Sequence, residues 1–265
     1  MLNNSFSKKD LLRHFLSGIS IFIVFIVICA FVLPLCFAII PIFSQSDFVS
    51  FSQENTYTLK YIFNALSFTV KQAFFSTLIA LIIGIPMGFF VSQRKFYGKK
   101  FLVALSAVPF CVPTLLVALA YVQFFGMNGN LNQFIKSIFG LKSSPITFLY
   151  SFVGIVIAQG FYNFPFVTGI IYKAWKILPL EQENAARLLG ANEARVFFTI
   201  TLKQLSGAIG SALIPVFLFC FFSFMFVLLF CPPGMSVFEV EIYHLVKSTF
   251  DYKSASFLAF VETCL

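Results

Sequence analysis

Few side chains in this sequence combine the types and the spacing that chemistry needs. Glu241 and His244 stand three residues apart, so a helix places both on one face, a spacing that suits metal ligands. Two such residues in a loop do not complete a metal site, and the plainer reading is a solvated loop helix. No Ser, His and Asp arrangement and no pair of carboxylates within an apolar run points to catalysis. No G-x-x-x-x-G-K-[ST] loop is present to cradle a nucleotide phosphate. The 6 cysteines form no C-x-x-C pair and lie mostly in apolar runs, where they read as small buried hydrophobes. Leu35 is too large for the residue before a lipoprotein cysteine, which excludes Cys36 as one. Gln159, Asn163 and Ser223 are polar residues inside apolar runs and are the candidates to line a polar path. Lys71 lies in the first third of an apolar helix, where it snorkels toward the interface or lines a substrate path. No catalytic residue, metal site or cofactor is expected.

Composition says where such a chain must live. Of its 265 residues 59% are hydrophobic and 11% charged, with mean hydropathy +0.93. An ordinary soluble domain is about 45–50% apolar and about 25% charged. Too few polar residues exist to cover a water-facing surface, and disorder needs the opposite composition. The net charge of +8 does not indicate nucleic acid, because Lys and Arg sit between apolar runs rather than on one basic face. The expected class is an all-α, polytopic membrane protein in contact with lipid.

Uncharged runs locate the spans at 14–46, 72–93, 101–135, 143–172 and 204–238. Each exceeds the roughly 20 residues that a helix needs to cross the hydrocarbon. The runs do not alternate as barrel strands do, so helices are expected. The second helix is expected to start near Tyr61. A sixth stretch, 254–265, is too short to cross alone. The chain is expected to divide into 1–55, holding the N-terminus and a retained first anchor, and 56–265, holding the transmembrane core. Pro109 and Pro113 are expected to break the third helix, while Pro165 and Pro215 kink the fourth and fifth. Gly84 and Gly88 on the second helix allow a close approach by a neighbour.

The basic residues set orientation. Lys8, Lys9 and Arg13, then Arg94, Lys95, Lys99 and Lys100, then Lys173, Lys176, Arg187, Arg195 and Lys203 fall on one side. Lys60, Lys136, Lys142, Lys247 and Lys253 fall on the other. The richer side is the cytoplasmic one. The N-terminus and the 173–203 loop are therefore expected in the cytoplasm.

That loop is coded as two short helices. Pro179 suits a first helical position, and Glu181 and Glu183 complement the dipole in the first turn. Gly190 supplies a left-handed cap, and Asn192 caps a second helix with Glu193 in its first turn. Ala185, Leu188 and Leu189 share one face. An exposed apolar face implies docking onto a partner; the alternative is a re-entrant segment packed on the chain's own helix ends.

Asn184, Ala185, Ala186, Gly190, Ile200 and Leu202 match the spacing E-A-A-x3-G-x9-I-x-L-P. This loop resembles that of permease subunits of binding-protein-dependent ABC importers. Asn184 stands where Glu is usual, and Lys203 where Pro is usual. Asn64-Ala65-Leu66-Ser67-Phe68-Thr69 is similar to the opening of that family's core. Phe161-Tyr162-Asn163-Phe164-Pro165 resembles its F-x-N-x-P signature. Glu239-Val240-Glu241-Ile242-Tyr243, with Phe250-Asp251-Tyr252 and Ala255, looks like the iron(III) and thiamine branch, whose members resemble two such halves fused.

The resemblance implies a type I permease core in the bacterial cytoplasmic (inner) membrane, with five full transmembrane helices and an incomplete sixth. It implies three protein partners: an ABC ATPase subunit, a periplasmic or surface substrate-binding protein, and a second permease half. Residues Asn184, Ala185, Ala186, Leu188, Leu189, Gly190, Ile200 and Leu202 would form the ATPase-coupling element, and iron(III) or thiamine would be carried. The permease would do no chemistry itself. An ion-coupled secondary transporter would usually bury ionisable groups, and the five main runs contain none. A non-transporting or truncated membrane subunit is the other alternative.

Overall fold

A computed structural model of the chain describes residues 20–30, 32–33, 59–107, 111–179, 181–232 and 234–264. All its described secondary structure is helical. The chain divides into two compact units, Leu59–Glu241 and a second made of Ile242–Leu265 with the residues up to Thr58. In the second unit α1 (Ser20–Ala30) is a short apolar helix. The rest of the expected first anchor, with the 1–55 boundary, lies outside the described residues.

The larger unit holds α2 (Leu59–Gln93), α3 (Lys99–Ala104) with a 3-10 turn at Leu105–Ala107, α4 (Thr114–Phe125), α5 (Asn130–Phe139) and α6 (Phe152–Lys176). It continues through α7 (Glu181–Leu188), α8 (Glu193–Val196), a π-helical turn (Phe197–Thr201), α9 (Leu202–Phe221) and α10 (Phe224–Phe230). It ends within α11 (Phe238–His244), which is followed by a π-helical turn and α12 (Tyr252–Cys264).

Three described helices are long and apolar enough to cross a membrane: Phe63–Gln93, Phe152–Lys176 and Glu193–Phe221. They correspond to the expected second, fourth and fifth spans. The 101–135 run is not one helix. Pro113 precedes α4 as its N-cap, because a proline lacks the N–H a helix interior needs and excludes α geometry from the residue before it. Pro109 lies outside the described residues. The 204–238 run also divides: α9 ends at Phe221, and Ser223 stands at the N-terminal boundary of α10 without a side-chain capping bond. Pro86, Pro165 and Pro215, by contrast, all lie inside helices.

α2 and α6 run parallel in close contact. A Cβ on Gly84 would lie 2.6 Å from Val167 Cβ, and one on Gly88 would lie 2.7 Å from Ile171 Cγ2. From the other side, a Cβ on Gly160 would lie 2.5 Å from Ile79 Cγ2. Three glycines thus bring the two backbones together, which is how helices associate where lipid is as apolar as the side chains. α9 returns antiparallel, from Phe197 stacked on Trp175 at one end to Cys220 beside Gln72 at the other. Ala73, Ala80, Val167, Ile171, Leu205, Ala212 and Val216 form the core between these helices. A second core joins α4, α6 and α10 around Phe226 and Phe230.

The arrangement inverts a soluble helix. Thr69, Gln72, Ser76 and Thr77 of α2 are buried, while Val70, Phe74, Leu78 and Ile82, four apart, are exposed. Thr69 and Thr77 bond to the backbone of their own helix and Gln72 and Ser76 to neighbouring helices, while Gln72 Oε1 has no partner among the described residues. Polar groups inside and an apolar stripe outside are what a lipid environment selects.

Candidate functional site: the α7–α8 loop and the polar helix interface

The loop expected to dock is built as two short helices around a glycine. Helix α7 begins at Glu181 and Pro179 is not helical, so the expected first-position role of Pro179 does not hold. At the other end Gly190 N–H donates to Arg187 O at 3.0 Å and Ala191 N–H to Ala186 O at 3.0 Å, with Gly190 at φ +83°. This pair of bonds is a Schellman cap and requires the left-handed conformation that glycine adopts without strain. Asn192 then caps α8, its side chain accepting from Arg195 N–H at 2.8 Å.

Side chains lock the turn from within. Arg187 Nε donates to Glu193 Oε1 at 2.8 Å and Nη2 to Glu193 Oε2 at 3.1 Å, a two-pronged pair between the helices. The same guanidinium reaches Glu183 Oε2 at 3.3 Å and Asn184 Oδ1 at 3.2 Å. The bond to Glu193 raises the Arg187 pKa above its usual value, so the clamp stays charged. Glu183 is buried, and its Oε1 accepts from Thr201 Oγ1 at 2.6 Å. Thr201 belongs to the π-helical turn that leads into α9. A chain of contacts therefore runs Glu193–Arg187–Glu183–Thr201, from the loop into a spanning helix. Gln182 and Gln204 add a parallel link at 2.8 Å.

The remaining face is uncovered among the described residues. Leu188 and Leu189 are 88% and 89% exposed, Ala185 is exposed, and Ala186 is half-buried. Asn184 is exposed beside them, and Ile200 and Leu202 are half-buried at the start of α9. Beneath the turn an open cavity of about 750 Å³ is lined by Phe89, Trp175, Glu183, Arg187 and Phe197 among others.

Gln159 and Asn163 sit in the interface of α2, α6 and α9. Both are buried; Ser76 Oγ donates to Gln159 Oε1 at 2.9 Å, and Asn163 Nδ2 donates to Gln159 O at 3.0 Å and contacts Cys220 Sγ at 3.4 Å. Gln72 Nε2 extends the group by donating to Cys220 O at 2.7 Å. Ser223 is apart from them, half-buried at the break between α9 and α10. Sequence reading missed Glu183, Thr201, Gln72 and Ser76 as members of these groups. A polar residue every three or four positions on one face of α2 was the available signal.

Residues 80–261 match the family described as "Binding-protein-dependent transport system inner membrane component". The chain is 29% identical over 211 residues to the thiamine transport system permease protein ThiP of Brucella abortus, covering 77% of this chain and 38% of that protein. ThiP of Escherichia coli is 28% identical over 221 residues, 82% of this chain and 39% of that protein. The sulfate transport system permease protein CysT of Salmonella typhimurium is 30% identical over 145 residues, 55% of this chain and 50% of that protein. The chain thus spans half the length of these relatives or less. A crystal structure of a bacterial alginate ABC transporter, in complex with an alginate pentasaccharide-bound periplasmic protein, contains a chain of the same fold. The TM-score is 0.70 at 18% identity, covering 96% of this chain and 90% of that one.

Proposed function

Because the chain belongs to the family of binding-protein-dependent transport system inner membrane components, we propose that it is one permease half of an ATP-driven importer, coupled to a separate ATPase through α7 and α8. The observation that carries this reading is the exposed Ala185, Leu188 and Leu189 face, presented on a turn held rigid by its glycine cap and the Arg187 clamp. An apolar face left uncovered by the described residues fits a partner's cleft. Glu183 and Thr201 supply the connection from that face to α9. ATP hydrolysis belongs to the ATPase subunit; this chain supplies helices that shift around a path completed by a second permease half. A periplasmic or surface binding protein delivers the solute.

Gln159 and Asn163 act in this reading by fixing the packing of the three helices that must move, and Ser223 remains the candidate for the path wall. The excess of Lys and Arg supports a cytoplasmic N-terminus and a cytoplasmic coupling loop. A cysteine introduced at Ala191 is expected to react with a membrane-impermeant thiol reagent from the cytoplasmic side, and one at Gly140 from outside. One at Ser223 is expected to react only when the assembled path opens. Labelling of Ala191→Cys from outside would reverse the orientation.

Thiamine is the solute this reading favours, since thiamine permeases match over more of the chain than the sulfate permease does. The relatives described above are named for thiamine and sulfate, not for iron(III). The test is uptake by proteoliposomes holding this chain, its ATPase, its binding protein and the companion half. ATP-dependent accumulation of labelled thiamine is expected; accumulation of sulfate with no thiamine would overturn the substrate, and accumulation without ATP would overturn the importer reading.

A further inference from the structure

The α2 helix carries a single charge between Tyr61 and Gln93, and that charge faces a cavity. The N-terminal third of α2, the first turn of α6, the segment 234–236 and α11 surround an open space of about 600 Å³, which Lys71 of α2 and Glu241 of α11 both line. Phe68 and Phe152, with ring centroids 5.8 Å apart, form an aromatic wall, and Asn64 and Ser67 add neutral polar groups. The volume falls within the range of about 300–1,000 Å³ typical of small-molecule sites.

Two further observations favour a ligand over a structural role. Neither the Lys71 ammonium nor the Glu241 carboxylate has an ion-pair or hydrogen-bond partner among the described residues, so the charges do not serve to hold the helices together. Position supports the same conclusion. Lys71 precedes Gln93 by 22 residues, a rise of about 33 Å at 1.5 Å per residue. That is about one hydrocarbon thickness. α2 and α6 run parallel, and the coupling loop follows the far end of α6. The cavity thus lies at the bundle end opposite that loop, where it can receive solutes arriving from that side.

We propose that this cavity is a loading site for a solute carrying separated charges, whose anionic group meets Lys71 and whose cationic ring meets Glu241 and the Phe68–Phe152 wall. A cation beside a carboxylate and an aromatic face is attracted by both, and an anion beside an ammonium forms a charge-assisted hydrogen bond. The proposal rests on the importer reading for its role, but binding at the cavity is measurable without transport.

The experiment uses the full chain in nanodiscs and three probes: thiamine monophosphate, which carries both charges, thiamine, which carries the cation, and inorganic phosphate, which carries the anion. Wild-type chain is expected to bind thiamine monophosphate at least about tenfold more tightly than either simpler probe, since one charged hydrogen bond is worth about 1.5–3 kcal/mol. Lys71→Met is expected to remove the preference for thiamine monophosphate over thiamine, and Lys71→Arg to keep it. Glu241→Gln is expected to remove the preference over phosphate. Equal binding of all three probes by the wild type, no binding of any, or preferences unchanged in Lys71→Met and Glu241→Gln would each overturn the site. Capture of the ATPase by the same variants reports that they are folded. Failure of the wild type to capture it, with the binding preferences intact, would count against the importer reading and leave the site standing.

Discussion

Leu188→Glu is expected to abolish association with the ATPase while the chain still inserts into the membrane. Leu188 is 88% exposed and touches little of its own chain, so the substitution should leave the fold intact. In the proposed complex the same position would lie against the partner, where an unpaired carboxylate loses its water. Burial of an uncompensated charge costs several kcal/mol, and about 2 kcal/mol already lowers affinity roughly 30-fold. Gly190→Val acts differently. No atom of the described residues lies within 4 Å of a Cβ at Gly190, so its cost is the left-handed backbone at φ +83°, about 1–2 kcal/mol for a residue with a side chain. The turn can relieve that strain only by altering the angle between α7 and α8. ATPase binding is therefore expected to weaken for Gly190→Val and to vanish for Leu188→Glu. Co-purification quantifies both, with membrane content as the control. Wild-type ATPase binding by both variants would remove α7 from the coupling role.

A second large effect is expected at Glu183, and it separates coupling from docking. Glu183 faces inward, toward Thr201 and Arg187, rather than toward the exposed face. Glu183→Ala strands the buried Thr201 hydroxyl, at about 1–3 kcal/mol, and frees one side of the Arg187 clamp. The Leu188–Leu189 face survives, so the ATPase should still bind. What is lost is the rigid connection from α7 to the π-helical turn that begins α9. Solute moved per ATP hydrolysed is expected to fall about tenfold, with hydrolysis itself changed far less. Thr201→Val should behave like Glu183→Ala, and Thr201→Ser should restore the ratio. A destabilised complex would lose transport and hydrolysis together, so an unchanged ratio in Glu183→Ala would refute the connection.

What the sequence made legible is what short-range rules govern. Gly190 and Asn192 act within one turn of their own positions, and their caps form where their residue types placed them. Gly84 and Gly88 signalled close packing because four residues return to the same helical face, although the partner, α6, was not readable. The Glu183–Thr201 bond joins positions 18 apart, and its existence depends on how α7 folds back on α9. Local periodicity carries no such information. The same holds for Gln159, read as a path candidate because it is polar in an apolar run. Its Oε1 accepts from Ser76 on a neighbouring helix, a partner that no local pattern reveals, while its Nε2 has none among the described residues. Pro109 and Pro113 marked a break in the third run, but where α4 would resume depended on which proline could begin a helix.

The proposed coupling requires that the ATPase meet α7 and α8, and a cross-link measures that contact directly. Leu189→Cys places a thiol on the exposed face of the turn, and Met127→Cys places one between α4 and α5, near Tyr150 and the opposite end of α6. In membranes containing the assembled complex, a short thiol-reactive cross-linker is expected to join the ATPase to Leu189→Cys and not to Met127→Cys. An ATPase adduct at Met127→Cys, or none at Leu189→Cys in a complex that still imports solute, would contradict the assignment of α7 and α8 as the coupling element.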